Sequence, residues 1–96
     1  GPRGIRVNAI GPGLVRTGLT EGMWLMPPVI ADFDENAPLA TTTSADDVGR
    51  LVTFLASDDA ASITGTPQLI DRGAHTMRYP DVLGHIATLT TPDPEA

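Results

Sequence analysis

Ile5, Val7 and Ala9 alternate with Arg6 and Asn8, then Ile10 leads into Gly11-Pro12-Gly13. Alternation at period two marks a half-buried strand, and a Gly-Pro-Gly triplet halts one. A short strand is therefore expected over about residues 5–10, running into a tight loop. Leu19, Met23 and Met26 follow at spacings of four and three, with Thr17 and Thr20 as caps and Pro27-Pro28 as a stop, which predicts a short helix over 17–26. From 27 to 43 no period is sustained, and prolines, acidic residues and a threonine run read as a mobile connection.

The strongest pattern comes next. Val48, Leu51, Val52 and Leu55 fall at i, i+3, i+4 and i+7, one continuous apolar face. Ser44 stands before them as an N-cap, and Asp46 and Asp47 occupy the positive end of the helix dipole, so a helix is expected over about 45–57. Ile63-Thr64-Gly65 then leads to a second strand over about 67–71, closed by Asp71-Arg72-Gly73. Pro67 argues for an edge position, where a missing N–H harms no ladder bond. The tail, 74–96, carries scattered apolar residues and ends in a Thr-Pro-Asp-Pro run whose last few residues are expected to be disordered.

Strand, helical crossover and strand make a βαβ unit with parallel strands. The fold class is therefore α/β, and a two-strand parallel sheet rarely stands alone. The opposite sheet face calls for neighbours from elsewhere.

Composition narrows the chemistry. A chain of 96 residues is one small domain at most, burying only ~60–65% of its unfolded surface. The net charge of −6 and six scattered arginines argue against nucleic acid as a partner. No apolar run approaches the ~20 residues that span a bilayer, so no membrane role is expected. Without cysteine there is no disulfide, thiol nucleophile or thiolate metal site, and a cytoplasmic location is the default expectation. Without lysine there is no Schiff base and no Walker A loop. His75 and His85 lack partners at metal-ligand spacing and read as surface or interface residues, so no metal site is expected. Asp46/Asp47 and Asp58/Asp59 read as capping and solvated pairs, and Asn8 as a structural hydrogen-bonding residue.

The run Gly4-Ile5-Arg6-Val7-Asn8-Ala9-Ile10-Gly11-Pro12-Gly13-Leu14-Val15-Arg16-Thr17 resembles the sixth strand of short-chain dehydrogenases/reductases and the loop after it, where Asn-Ala-x-x-Pro-Gly-x-x-x-Thr recurs. Phe54-Leu55-Ala56-Ser57-Asp58, Ile63-Thr64-Gly65 and Asp71-x-Gly73 are similar to that family's penultimate helix and seventh strand, and the two matches together span about residues 3–74. The resemblance implies that this is the C-terminal βαβ portion of a Rossmann-like, doubly wound parallel sheet, incomplete as it stands. It also implies an NAD(P)-dependent oxidoreductase that interconverts an alcohol and a ketone by hydride transfer, with a small-molecule substrate and a homo-oligomeric assembly. By the same resemblance Pro12, Gly13, Val15 and Thr17 are cofactor-binding, the exposed backbone near Val15 meeting the nicotinamide carboxamide of NAD or NADP. Read from the residues alone, Pro12-Gly13 is an ordinary turn and Thr17 a helix cap. The stretch 18–43 corresponds to the family's substrate loop, and its Met23, Trp24 and Met26 either line an apolar pocket or fill local and subunit contacts.

Three departures limit the resemblance. The family's chemistry uses a Tyr-x-x-x-Lys pair, but the one tyrosine here, Tyr79, has Leu83 four residues on, so no residue of this chain is assigned as catalytic. No glycine-rich phosphate turn follows a strand. Arg72 stands where the family usually has glycine, and a positive φ there would strain it by ~1–2 kcal/mol. The chain by itself is accordingly expected to be inactive, and an alternative of a different class is a truncated, non-catalytic module for self-association or interaction.

Overall fold

A computed structural model of the protein, described for residues 1–90, places eight short elements along the chain. Strand β1 covers Ala9–Pro12, and helices α1 and α2 cover Glu21–Trp24 and Pro27–Glu35. Helix α3, Ala45–Ala56, is followed by a 3-10 turn at Asp58–Ala60, strand β2 at Pro67–Ile70, a 3-10 turn at Ala74–Thr76, and helix α4 at Val82–Thr90. The sheet consists of β1 and β2 alone among the described residues, parallel, with Ala9 opposite Pro67 and Pro12 opposite Ile70. The α/β, βαβ architecture is thus an open sheet with one edge of each strand unpaired.

β1 begins later than its alternating pattern predicts, and it continues through Gly11 and Pro12, where the sequence reads a stop. Residues 5–8 do run beside 63–66, but through side chains: Val7 N–H donates to Thr64 Oγ1 (3.1 Å) and Asn8 Nδ2 to Ile63 O (3.0 Å). Gly65, at φ +73°, breaks the regular ladder there, and its N–H reaches Val7 O at 2.7 Å. At the other end Ala9 N–H and Gly13 N–H donate to Thr66 O and Ile70 O. Alternation then turns the position of Pro12 away from β2, where its missing N–H costs no ladder bond. Pro67 is tolerated for the same reason.

α3 is built as its caps dictate. Ser44 Oγ accepts the N–H of Asp47 (3.1 Å) while Asp47 Oδ2 accepts the N–H of Ser44 (2.8 Å), a reciprocal capping box. Its C-terminal carbonyl end is held by Arg6, whose guanidinium donates to Leu55 O (2.7 Å), Ser57 O (3.4 Å) and Ile63 O (3.2 Å). A cation at that end also meets the negative pole of the helix dipole.

The segment 27–43 is not the irregular connection its sequence predicts, because α2 occupies its first half. Pro27 and Pro28 end the preceding turn and also open α2, since proline at N1 has its φ preset and its absent N–H would be unused. The buried face of α2 is Val29, Asp32 and Asn36. Two of those three are polar, which hides the helical period from any count of apolar residues.

The tail likewise holds a helix where none was predicted. Asp81 Oδ1 accepts the N–H of Gly84 (3.0 Å) and starts α4. The last residues expected to be disordered lie outside the described residues.

The core is slight. Among the described residues Val15, Val29, Ala37, Leu55 and Ala60 are its buried apolar members, and Val29 is the one large side chain fully enclosed. The accessible surface is 6891 Å², against ~5,200 Å² for a compact chain of this mass. A radius of gyration of 17.8 Å compares with ~13 Å for a compact domain of 100 residues.

Candidate functional site

Parallel strands bring their carboxyl ends to one edge, and there the loops after β1 and β2 meet. A Cβ on Gly13 would lie 3.0 Å from both Cα and Cβ of Asp71, tighter than most real Cβ contacts. Glycine at this position is what lets the two loops touch. Beside them opens a cavity of about 470 Å³, walled by Pro12, Leu14, Met23, Phe33, Leu69 and Tyr79, with Asn36, Asp71, His75 and Arg78 as its polar members. α2 and the tail close its outer side, with the rings of Phe33 and Tyr79 meeting edge to face at 6.1 Å.

The residues singled out from sequence part company here. Pro12 and Gly13 line the cavity. Val15 is buried and bridges Thr43, and its carbonyl accepts the hydroxyl of Thr20 at 2.6 Å. Thr17 is exposed and no helix cap is built on its side chain; Thr20 stands at the N-cap of α1, but its hydroxyl turns back to Val15 O and Thr17 N. Met23 lines the cavity. Trp24 packs instead beneath Arg16, whose guanidinium carbon is 5.3 Å from the ring centroid while the same side chain pairs with Glu21. Its indole Nε1 is buried without a hydrogen-bond partner among the described residues. Met26 is half-buried at the N-cap of α2, away from the cavity.

Two polar arrangements escaped the sequence reading. Asp32, on α2, accepts Arg78 Nη2 (2.6 Å), Asp81 N–H (2.9 Å), Asn36 Nδ2 (3.0 Å) and lies 3.0 Å from His85 Nε2. The Arg78 guanidinium, the Asp81 N–H and His85 together outweigh burial and hold its carboxyl down at about 2. This hub ties the tail to α2. The second is Asp71, at the end of β2, which accepts the N–H groups of Gly73 (3.0 Å) and His75 (2.9 Å) and pairs with His75 Nδ1 at 3.0 Å. Burial opposes its charge, but these hydrogen bonds outweigh it, and the carboxyl sits below its ordinary range. The i, i+4 spacing of Asp71 and His75 behind a strand end was a legible signal; Asp32 and Arg78, 46 residues apart, gave none.

Arg72 adopts φ +59°, the left-handed region that glycine favours. Its guanidinium bonds Asp34 Oδ1 (3.2 Å) and the carbonyl of Thr41, and its own carbonyl accepts Leu39 N–H (3.0 Å). The strain is offset by this clasp between the β2 loop and residues 34–41. Among the described residues no group of three or more His, Cys, Asp or Glu is placed to hold a metal ion, and no helix is long and apolar enough to cross a membrane.

Comparison with known proteins agrees with this architecture. Residues 1–75 match the family model described as enoyl-(acyl carrier protein) reductase. The NADH-dependent enoyl-[acyl-carrier-protein] reductase FabI of Bacillus cereus is 39% identical over 77 residues, 80% of this chain and 30% of that protein; the Staphylococcus aureus FabI is named for NADPH. Meso-2,3-butanediol dehydrogenase of Serratia marcescens is 40% identical over 77% of this chain and 29% of its own. A short-chain type dehydrogenase/reductase structure from Mycobacterium ulcerans superposes with a TM-score of 0.84 at 31% identity, over 92% of this chain and 32% of that one. The chain thus spans about 30% of the length of the curated relatives it matches. The two FabI relatives are reductases named for NADH and for NADPH. The parallel pair, the Pro-Gly step that ends its first strand and these matches together mean that the chain belongs to the short-chain dehydrogenase/reductase family.

Proposed function

We propose that this chain is the C-terminal part of an NAD(P)-dependent oxidoreductase that interconverts an alcohol and a ketone by hydride transfer, and that the segment alone is inactive. The observation that carries the reading is Pro12-Gly13 at the carboxyl end of a parallel strand, set against a largely apolar cavity. The cofactor, when bound, supplies the carbon that gives or takes the hydride. This chain's contribution is position: Gly13 keeps the wall free of a Cβ, and Thr17, an exposed residue, brings its hydroxyl to the carboxamide or the pyrophosphate. Val15 serves through the backbone of the same loop, with its carbonyl partly engaged by Thr20. Met23 forms part of the substrate wall, while Trp24 and Met26 support the loop that carries it.

The proton that accompanies hydride transfer needs a group this chain does not carry, since it has no lysine and Tyr79 is followed four residues on by Leu83. The choice between NAD and NADP is read by a residue near the ribose 2′ position, upstream in such folds. A homo-oligomer in the cytoplasm, acting on a small molecule, completes the proposal. Reduction of an enoyl thioester is a second reading, favoured by the family model's description. A non-catalytic interaction module is a third, favoured by large exposed apolar residues such as Leu19 and Leu83.

The test is an assay of the full-length protein bearing this segment, with secondary alcohols plus NAD or NADP, and with 2-enoyl thioesters plus NADH or NADPH. Alcohol oxidation by the full-length protein, and none by the 96-residue chain, is expected. Thioester reduction alone moves the reading to an enoyl reductase. Turnover by the short chain contradicts its inactivity, and no turnover by either leaves the interaction module.

A further inference from the structure

The polar members of the cavity wall are mostly committed to the protein itself. Arg78 donates to Asp32 and to the Tyr79 carbonyl, and Asn36 Nδ2 donates to Asp32. Asp71 is taken up by Gly73 and His75. His75 differs, because its Nδ1 alone is engaged, by Asp71, and its Nε2 has no protein partner among the described residues. A carboxylate on Nδ1 selects the tautomer with the proton there and leaves Nε2 as an acceptor. The Asp71 side chain is only 13% exposed and is fixed by two backbone N–H groups, so the ring is held from a firm base.

We propose that His75 Nε2 is a substrate-recognition atom of this cavity, accepting a hydrogen bond from a second hydroxyl, not the one that reacts, on a small, otherwise apolar substrate. The proposal rests on reading the cavity as the substrate site. Two features favour a neutral hydroxyl over an anion: the Asp71 carboxylate stands next to the ring, and the charge of Arg78 is already matched by Asp32. The surrounding wall of Leu14, Met23, Phe33 and Leu69 suits a hydrocarbon body. The sequence reading made His75 a surface or interface residue; its ring is half-exposed, yet it lines this cavity.

The test compares butane-2,3-diol with butan-2-ol, which differ by one hydroxyl, on the full-length protein. His75→Asn keeps an amide near the Nδ1 position for Asp71 but has nothing at Nε2; His75→Gln places its amide near Nε2. The expected result is a ~10-fold rise in KM for the diol in His75→Asn, recovery in His75→Gln, and kcat and the butan-2-ol KM within ~2-fold of wild type. Equal changes for both alcohols, or none, would overturn the proposal. If neither alcohol turns over, the hydride-transfer reading of these substrates fails, and binding still decides the inference. The His75 imidazole nitrogen resonances, identified by their loss in His75→Asn, must then shift with the diol and not with butan-2-ol; no shift overturns it.

Discussion

The two longest contrasts in this molecule are α2 and α3. α3 has the clearest apolar stripe in the sequence, yet of Val48, Leu51, Val52 and Leu55 only Leu55 is buried, and Val52 remains 49% exposed. α2 has no readable stripe, yet it carries Val29, which is fully enclosed, and the buried Asp32. A sequence period reports the surface that some partner must cover, whether or not the partner is present. Most of the α3 stripe is uncovered among the described residues. α2 is shaped for its own tail, and it is held to that tail by charge as much as by hydrocarbon.

That contrast can be broken at either helix. The largest effect is expected from Asp32→Ala, which removes the common acceptor of Arg78, Asn36 and the Asp81 N–H. Hydrogen exchange should show α4 amides falling to unstructured rates while α3 amides keep theirs. Acid does the same to the wild type. The Asp32 carboxyl lies at about 2 in the folded chain against an ordinary 3.8, so its contribution is complete above about pH 4 and is lost as pH falls toward 2. α4 should undock across that window by nitrogen-edited NMR.

Smaller effects follow in order. Val29→Ala should cost about 2 kcal/mol in urea unfolding, as a fully enclosed site. Ser44→Ala should cost about 1 kcal/mol by removing half of the capping box. Arg72→Gly should fall within about 1 kcal/mol of wild type, because relief of the left-handed strain offsets the lost clasp to Asp34 and Thr41. Val52→Ala should change the isolated chain by no more than ~0.5 kcal/mol, and a larger loss there would mean that α3 already packs on this chain.

The α/β class and the crossover helix were legible because caps and apolar periods act within a few residues, whereas Gly11-Pro12 stayed in the strand because the absent N–H of Pro12 faces away from β2. α2 was not, because Asp32 and Asn36 hold its buried face through partners far along the chain. The tail helix was missed for the same reason: its anchor is Arg78 and His85 on Asp32, and no local pattern encodes that pairing. β1 slipped toward its C-terminus because Asn8 and Thr64 take over the hydrogen bonds that a regular ladder would use. At the candidate site Pro12 and Gly13 came from the family resemblance, since their chemistry alone reads as an ordinary turn. Near Val15 no sequence pattern signals that Thr20, a neighbour in the loop, donates its hydroxyl to the Val15 carbonyl.

The central claim is that this segment is one part of a hydride-transferring fold whose uncovered faces are met by the rest. The intact mass of the protein in its source, measured together with NADH and NADPH titrations of the purified 96-residue chain, tests it most directly. The account predicts roughly 25–30 kDa, the size of a single-domain enzyme, and no cofactor binding by the short chain. A mass of 10.0 kDa, or saturable cofactor binding by the short chain alone, would contradict it.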